Sequence, residues 1–116
     1  MSLLPLQQQF AQDAAKLIQK AAELGYGVTL GEATRSPEQA AWNAAHGKGV
    51  ANSLHIDKLA IDINLFKPDG TYITDSIGHT ELGAWWKALG PRHMWGGNFQ
   101  RLDYNHYSIS PDGVRG

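Results

Sequence analysis

Phe10, Ala14, Leu17, Ile18 and Ala21 recur at helical spacing. They predict an amphipathic helix over roughly residues 6–24, with Gly25 as its stop. Val28-Thr29-Leu30 reads as a short strand. Ser36-Pro37-Glu38-Gln39 is a helix start: Ser caps, Pro takes the first helical position, and Gln follows three residues after the cap. That helix should run to about His46 and end at Gly47. From Leu59 to Leu65 the pattern switches to strict alternation, with Leu59, Ile61, Ile63 and Leu65 on one face and Ala60, Asp62 and Asn64 on the other. Lys67-Pro68-Asp69-Gly70 is a turn, after which Thr71-Tyr72-Ile73-Thr74 should return as a paired strand. Leu82, Trp85, Trp86 and Leu89 mark a third helix over roughly residues 79–89, stopped by Gly90-Pro91. Tyr104 to Ile109 reads as a last strand, and Ser110-Pro111-Asp112-Gly113 as a closing turn. Helices first, then a mainly antiparallel sheet with one helix inserted, imply an α+β fold.

The chain has 116 residues, enough for a single domain spanning 1–116 and too few for two. Hydrophobic residues make up 42% and charged residues 18%, as in globular chains. The net charge of -1 supplies no basic footprint for nucleic acid or an anionic membrane. No stretch approaches the length of a membrane span, and Met1 to Gln7 lacks the basic and apolar regions of a signal peptide. There are no cysteines, so disulfides and thiolate metal sites are excluded and any metal must use His, Asp or Glu.

Asp62 lies mid-strand, where Asp is disfavoured. Alone it would read equally well as a surface carboxylate on a half-exposed sheet. His55, seven residues upstream, can fold back over the same polar face, so imidazole and carboxylate can share one ion. His106 alternates with Tyr104 and Ser108 on the last strand; a lone strand histidine is more often packed than ligating. Together, His55, Asp62 and His106 leave one corner of a zinc tetrahedron open, as metal-assisted hydrolysis requires. Asp103, three residues before His106, is either a turn residue or a general base beside the ion. Arg35 precedes the capped helix and can bind a carboxylate or a polarised carbonyl. It can equally form a surface ion pair with Glu32 or Glu38. His46, His79 and His93 read as a helix-end cation, a residue preceding or capping the third helix, and a loop residue after Pro91. Trp95-Gly96-Gly97-Asn98-Phe99 is a Gly-permissive loop that either closes the core or walls a substrate site.

Ser53-Leu54-His55 followed by Ala60-Ile61-Asp62 resembles the Ser-x-His and Ala-x-Asp signature of the zinc D-alanyl-D-alanine carboxypeptidase and L-alanyl-D-glutamate endopeptidase family. Thr34-Arg35-Ser36-Pro37-Glu38-Gln39 resembles that family's Arg-containing segment, and Trp95-Gly96-Gly97 with Asp103-Tyr104-Asn105-His106 its C-terminal motif. The match runs in order over about residues 25–110. It implies a hedgehog/DD-peptidase-like domain with Zn²⁺ held by His55, Asp62 and His106. It also implies Asp103 as catalytic base, Arg35 as substrate-binding and oxyanion-stabilising group, and Ser53 as support for the same pocket. Lys58 stands where many members have Gly, and Asp103 where many have Glu.

The chain is also similar to compact phage endolysins of this family, which cut the L-Ala–D-Glu bond of peptidoglycan stem peptides. The resemblance therefore implies a peptidoglycan-directed peptidase. Related readings are a D-Ala–D-Ala carboxypeptidase or dipeptidase with the same metal chemistry, and an inactive binding module that keeps zinc. We expect a monomer, made in a host cytoplasm and acting in the periplasm or cell wall after release.

Overall fold

A computed structural model of the chain describes residues 2–47, 53–99 and 102–111. Helix α1, Leu4–Glu23, carries Pro5 in its first turn and buries Phe10, Ala14, Leu17 and Ala21. Gly25 ends it at φ 92°, with the Gly25 and Tyr26 N–H groups each 3.0 Å from the Ala22 and Ala21 carbonyls. This is the Schellman arrangement, whose left-handed residue favours glycine. Strand β1 is Gly27–Leu30, and helix α2 is Pro37–Ala45. The Ser36 hydroxyl accepts from the Gln39 N–H at 3.0 Å, the cap read from the sequence. Strand β2, Ala60–Phe66, buries Ile61, Ile63 and Leu65 and leaves Asp62 and Asn64 half-buried on its opposite face.

A 3-10 turn, Ile77–His79, leads into helix α3, Thr80–Lys87, and strands β3, His93–Trp95, and β4, His106–Ile109, follow. The four strands form an antiparallel sheet in the order β1-β2-β4-β3, an α+β fold as expected. The core gathers α1 and α3 against Ile63, Leu65, Tyr107 and Ile109.

Four expectations need correction. Residues 71–74 do not return as a strand; they make a single bridge, Tyr72 with Phe66. The edge of β2 is shared, because β4 pairs with Ala60–Asp62 and leaves only the far end. His93 is not in a loop: it opens β3, a strand too short for a period to reveal, and its Nε2 meets Asp13 Oδ2 of α1 at 2.8 Å. The third helix stops at Lys87, and Leu89 is 39% exposed rather than part of the buried stripe. Finally, β4 begins at His106, because Tyr104 and Asn105 form a turn closed by the His106 N–H on the Asp103 carbonyl at 3.0 Å. The expected closing turn at Ser110-Pro111-Asp112-Gly113 lies partly outside the described residues.

Candidate metal centre

Three neighbouring segments build one site. Residues 31–35 continue from β1 and grip the first two candidate ligands by main-chain bonds. The Gly31 N–H donates to the Asp62 carbonyl at 2.8 Å, and the Asp62 N–H to the Glu32 carbonyl at 2.8 Å. The Arg35 N–H donates to the His55 carbonyl at 3.1 Å. A Cβ on Gly31 would lie 3.0 Å from the Asp62 Cβ, so the close approach suits glycine. His55 Nδ1 pairs with the Ala33 carbonyl at 3.0 Å. A carbonyl only accepts, so the proton sits on Nδ1 and Nε2 is left as a ligand.

Asp62 and His106 are direct cross-strand partners in the β2–β4 register. Their side chains therefore emerge side by side on the face away from the core. Asp62 Oδ1 lies 3.2 Å from His55 Nε2 and 3.5 Å from His106 Nδ1. His55 and His106 are buried, with their rings 5.0 Å apart and nearly perpendicular. Their ligand atoms and that of Asp62 all fall within 4.8 Å of one another.

The donor set fits a metal ion. Asp62 Oδ1 is buried and makes no hydrogen bond, although both imidazoles approach it. An oxygen left this way is costly unless something cationic satisfies it. Donors about 2.1 Å from a tetrahedral ion lie about 3.4 Å apart, close to the two separations observed. Three protein ligands also leave a coordination position for water or substrate.

The remaining sequence candidates lie around this cluster. Asp103 Oδ2 is 3.8 Å from His106 Nδ1, and its side chain is 52% exposed. Arg35 forms an ion pair with Glu32 through Nε and Nη2, the alternative its position had left open. The Ser53 hydroxyl is buried and accepts from the His55 N–H at 3.3 Å, bracing the ligand's main chain. Trp95 is buried; its indole N–H donates to the Tyr104 carbonyl at 2.6 Å, and its ring packs where a Cβ on Gly83 or Gly97 would stand. Trp95, the last residue of β3, therefore closes the core and holds the turn that leads to His106, while the Phe99 ring lies 5.4 Å from that of His106. Sequence reasoning missed the Ala33 carbonyl and Glu32. The first is main chain and leaves no mark in residue identity; the second had been weighed only as a surface partner of Arg35.

Charge tuning follows from the geometry. Burial alone would raise the Asp62 carboxyl, but the His106 and His55 imidazoles beside it overcome that and hold the group at about 2. Burial likewise works to lower His55, and the Asp62 carboxylate outweighs it, so His55 is raised. Asp103 is raised, first by partial desolvation and then by the charge of Asp62.

No protein-family model and no curated protein matches the chain. Its fold is similar to the crystal structure of the Serratia marcescens L-Ala D-Glu endopeptidase ChiX, with a TM-score of 0.67 and 18% identity over 85% of this chain and 79% of that one.

Proposed function

We propose that this chain is a zinc-dependent peptidoglycan peptidase cleaving the L-Ala–D-Glu bond of stem peptides. The observation that carries the reading is the convergence of His55 Nε2, Asp62 Oδ1 and His106 Nδ1 around an unpartnered carboxylate oxygen, with Asp103 alongside. The likeness of fold to an L-Ala D-Glu endopeptidase supports it. A zinc ion held by those three side chains would supply Lewis acidity and bring the pKa of water down towards about 7.

The chain's own groups do the rest. Asp103 takes a proton from the attacking water and returns it to the leaving amine; its upward-shifted carboxyl suits that exchange. Arg35 offers positive charge to the carbonyl oxygen as the tetrahedral centre forms, and its field is felt at both His55 and Asp103. Ala33 and Ser53 hold His55 in the ligating orientation.

Mass spectrometry of purified peptidoglycan digested by zinc-loaded protein tests the reading, with Asp103→Asn as control. The expected products are glycan-linked L-Ala and free peptides beginning at D-Glu. The variant should keep its zinc and lose roughly 100- to 10,000-fold in kcat. Release of D-Ala alone would reassign the substrate to a D-Ala–D-Ala terminus. Zinc binding without any product from the wild type would make this a binding module.

A further inference from the structure

The open face of β2 continues past the candidate metal centre into a cluster with no ionised side chain. Asn64 follows Asp62 on that face, two residues on and therefore about 7 Å along the strand. Its Oδ1 accepts from the Tyr72 hydroxyl and from Asn105 Nδ2, and its Nδ2 donates to Thr29 Oγ1, each at 3.3 Å. Asn105 immediately precedes His106, and the Tyr104 hydroxyl lies close enough to Tyr72 to feel it. The other side of the metal centre differs. Thr29 lies opposite Asn64, Gly31 bonds Asp62, and the chain then runs on to the charged Glu32–Arg35 pair. The candidate metal centre thus lies between the Glu32–Arg35 pair and a cluster of carboxamide and phenol side chains.

Four features distinguish this cluster from a structural network. Its bonds are long, at the outer limit of useful geometry, and its members are half-buried or exposed, so their net worth to the fold is small. Asn is also disfavoured in a strand interior. In addition, each carboxamide carries two N–H donors. Asn64 and Asn105 each spend one, and no other described group takes the second.

We propose that Asn64, Asn105 and Tyr72 form a substrate subsite for the uncharged main-chain amides on one side of the scissile bond. The inference rests on the peptidase reading above and deepens it. Carboxamides present donors and acceptors together, matching a peptide group, which also carries both. The Glu32–Arg35 pair stands at the far end of the site, and the uncharged main chain of the substrate lies across Asn64 and Asn105. The three side chains act in binding and touch neither the attacking water nor the leaving amine.

Steady-state kinetics on a soluble stem peptide tests this, with Asn64→Ala and Tyr72→Phe beside the wild type. KM should rise about 3- to 10-fold per lost hydrogen bond, while kcat stays within about twofold. Zinc content and thermal midpoint should match the wild type, which separates binding from a structural role. In zinc-loaded Asp103→Asn protein, NMR should show the Asn64 and Asn105 side-chain amides shifting on addition of uncleaved peptide. Cleavage by the wild type with an unchanged KM in Asn64→Ala would overturn the subsite alone. A KM change matched by lost zinc or a lower midpoint would overturn it in favour of a structural role. A wild type that neither cleaves nor binds the peptide overturns the peptidase reading and the subsite together.

Discussion

Gly96 and Asp103 hold one another by main chain: the Asp103 N–H donates to the Gly96 carbonyl at 3.0 Å, and a Cβ on Gly96 would collide with the Asp103 carbonyl. The same Cβ would stand 3.0 Å from the Cβ of His106. One glycine therefore sets where both the candidate base and a candidate ligand emerge. Gly96→Ala should cost about 1–3 kcal/mol by overpacking. It should also weaken zinc binding, because His106 moves with the displaced turn. Urea denaturation and a zinc titration measure the two effects; an alanine variant with native stability and native zinc affinity would contradict the contact.

Lys58 sits at φ 59°, left-handed backbone that L-residues adopt at a cost. Glycine is the residue that takes this conformation without a Cβ penalty. The Lys58 side chain is exposed, so replacement loses little packing. Lys58→Gly should stabilise the protein by about 0.5–1 kcal/mol after the extra backbone entropy of glycine is counted. A thermal midpoint raised by a few degrees, with zinc affinity unchanged, is the expected result. A lowered midpoint would mean that the Lys58 side chain contributes contacts outweighing the strain.

His79 is buried and pairs with the Tyr107 hydroxyl at 2.8 Å through Nδ1. Burial lowers its pKa from 6.5 to about 4, so the folded protein keeps it neutral. Burial also pushes the Tyr107 hydroxyl upward, and it stays a donor. The unfolded chain takes up a proton near pH 6.5 that the folded chain refuses until about pH 4. Stability should therefore fall as pH drops through that window, by up to roughly 3 kcal/mol, and level off below it. Above pH 6.5 this group contributes no slope. Denaturation curves in EDTA, for wild type and His79→Gln, isolate the effect as a difference in slope; parallel curves would remove His79 as its source.

The parts of this fold that the sequence revealed are those with long periods or strong caps. The stripe of Phe10, Ala14, Leu17 and Ala21, the Ser36 cap and the alternation through Asp62 each state a local rule that the structure keeps. The failures were tertiary. β3 has three residues and is defined by its partner β4, and residues 71–74 lose their pairing to competition for one strand edge. At the candidate site, residue identity pointed to the groups that converge, because two imidazoles and a strand-interior carboxylate are conspicuous. It could not point to what orients them. The Ala33 carbonyl, the Gly31 approach to Asp62 and the Gly96 approach to Asp103 are main-chain relationships, and any residue has a carbonyl.

The Glu32–Arg35 pair makes a last claim that kinetics can isolate. One carboxylate oxygen takes both Nε and Nη2 of Arg35, which fixes the plane of the guanidinium. Glu32 is fixed in turn, since its carbonyl accepts from the Asp62 N–H. If Arg35 stabilises the developing oxyanion, Arg35→Ala should lower kcat by roughly 100- to 1,000-fold. Glu32→Ala leaves the guanidinium present but unoriented, and about a tenfold loss in kcat is expected. Glu32 Oε1 also lies 3.9 Å from His55 Nδ1, so zinc content is measured in both variants to keep a change in metal binding apart from a change in kcat. The double variant decides between orientation and an independent role for Glu32. Glu32 acting only through Arg35 has nothing left to orient once Arg35 is gone, so the double variant should match Arg35→Ala. Additive losses would instead give Glu32 a function of its own, and an unchanged kcat in Glu32→Ala would reduce the pair to a surface ion pair of little consequence.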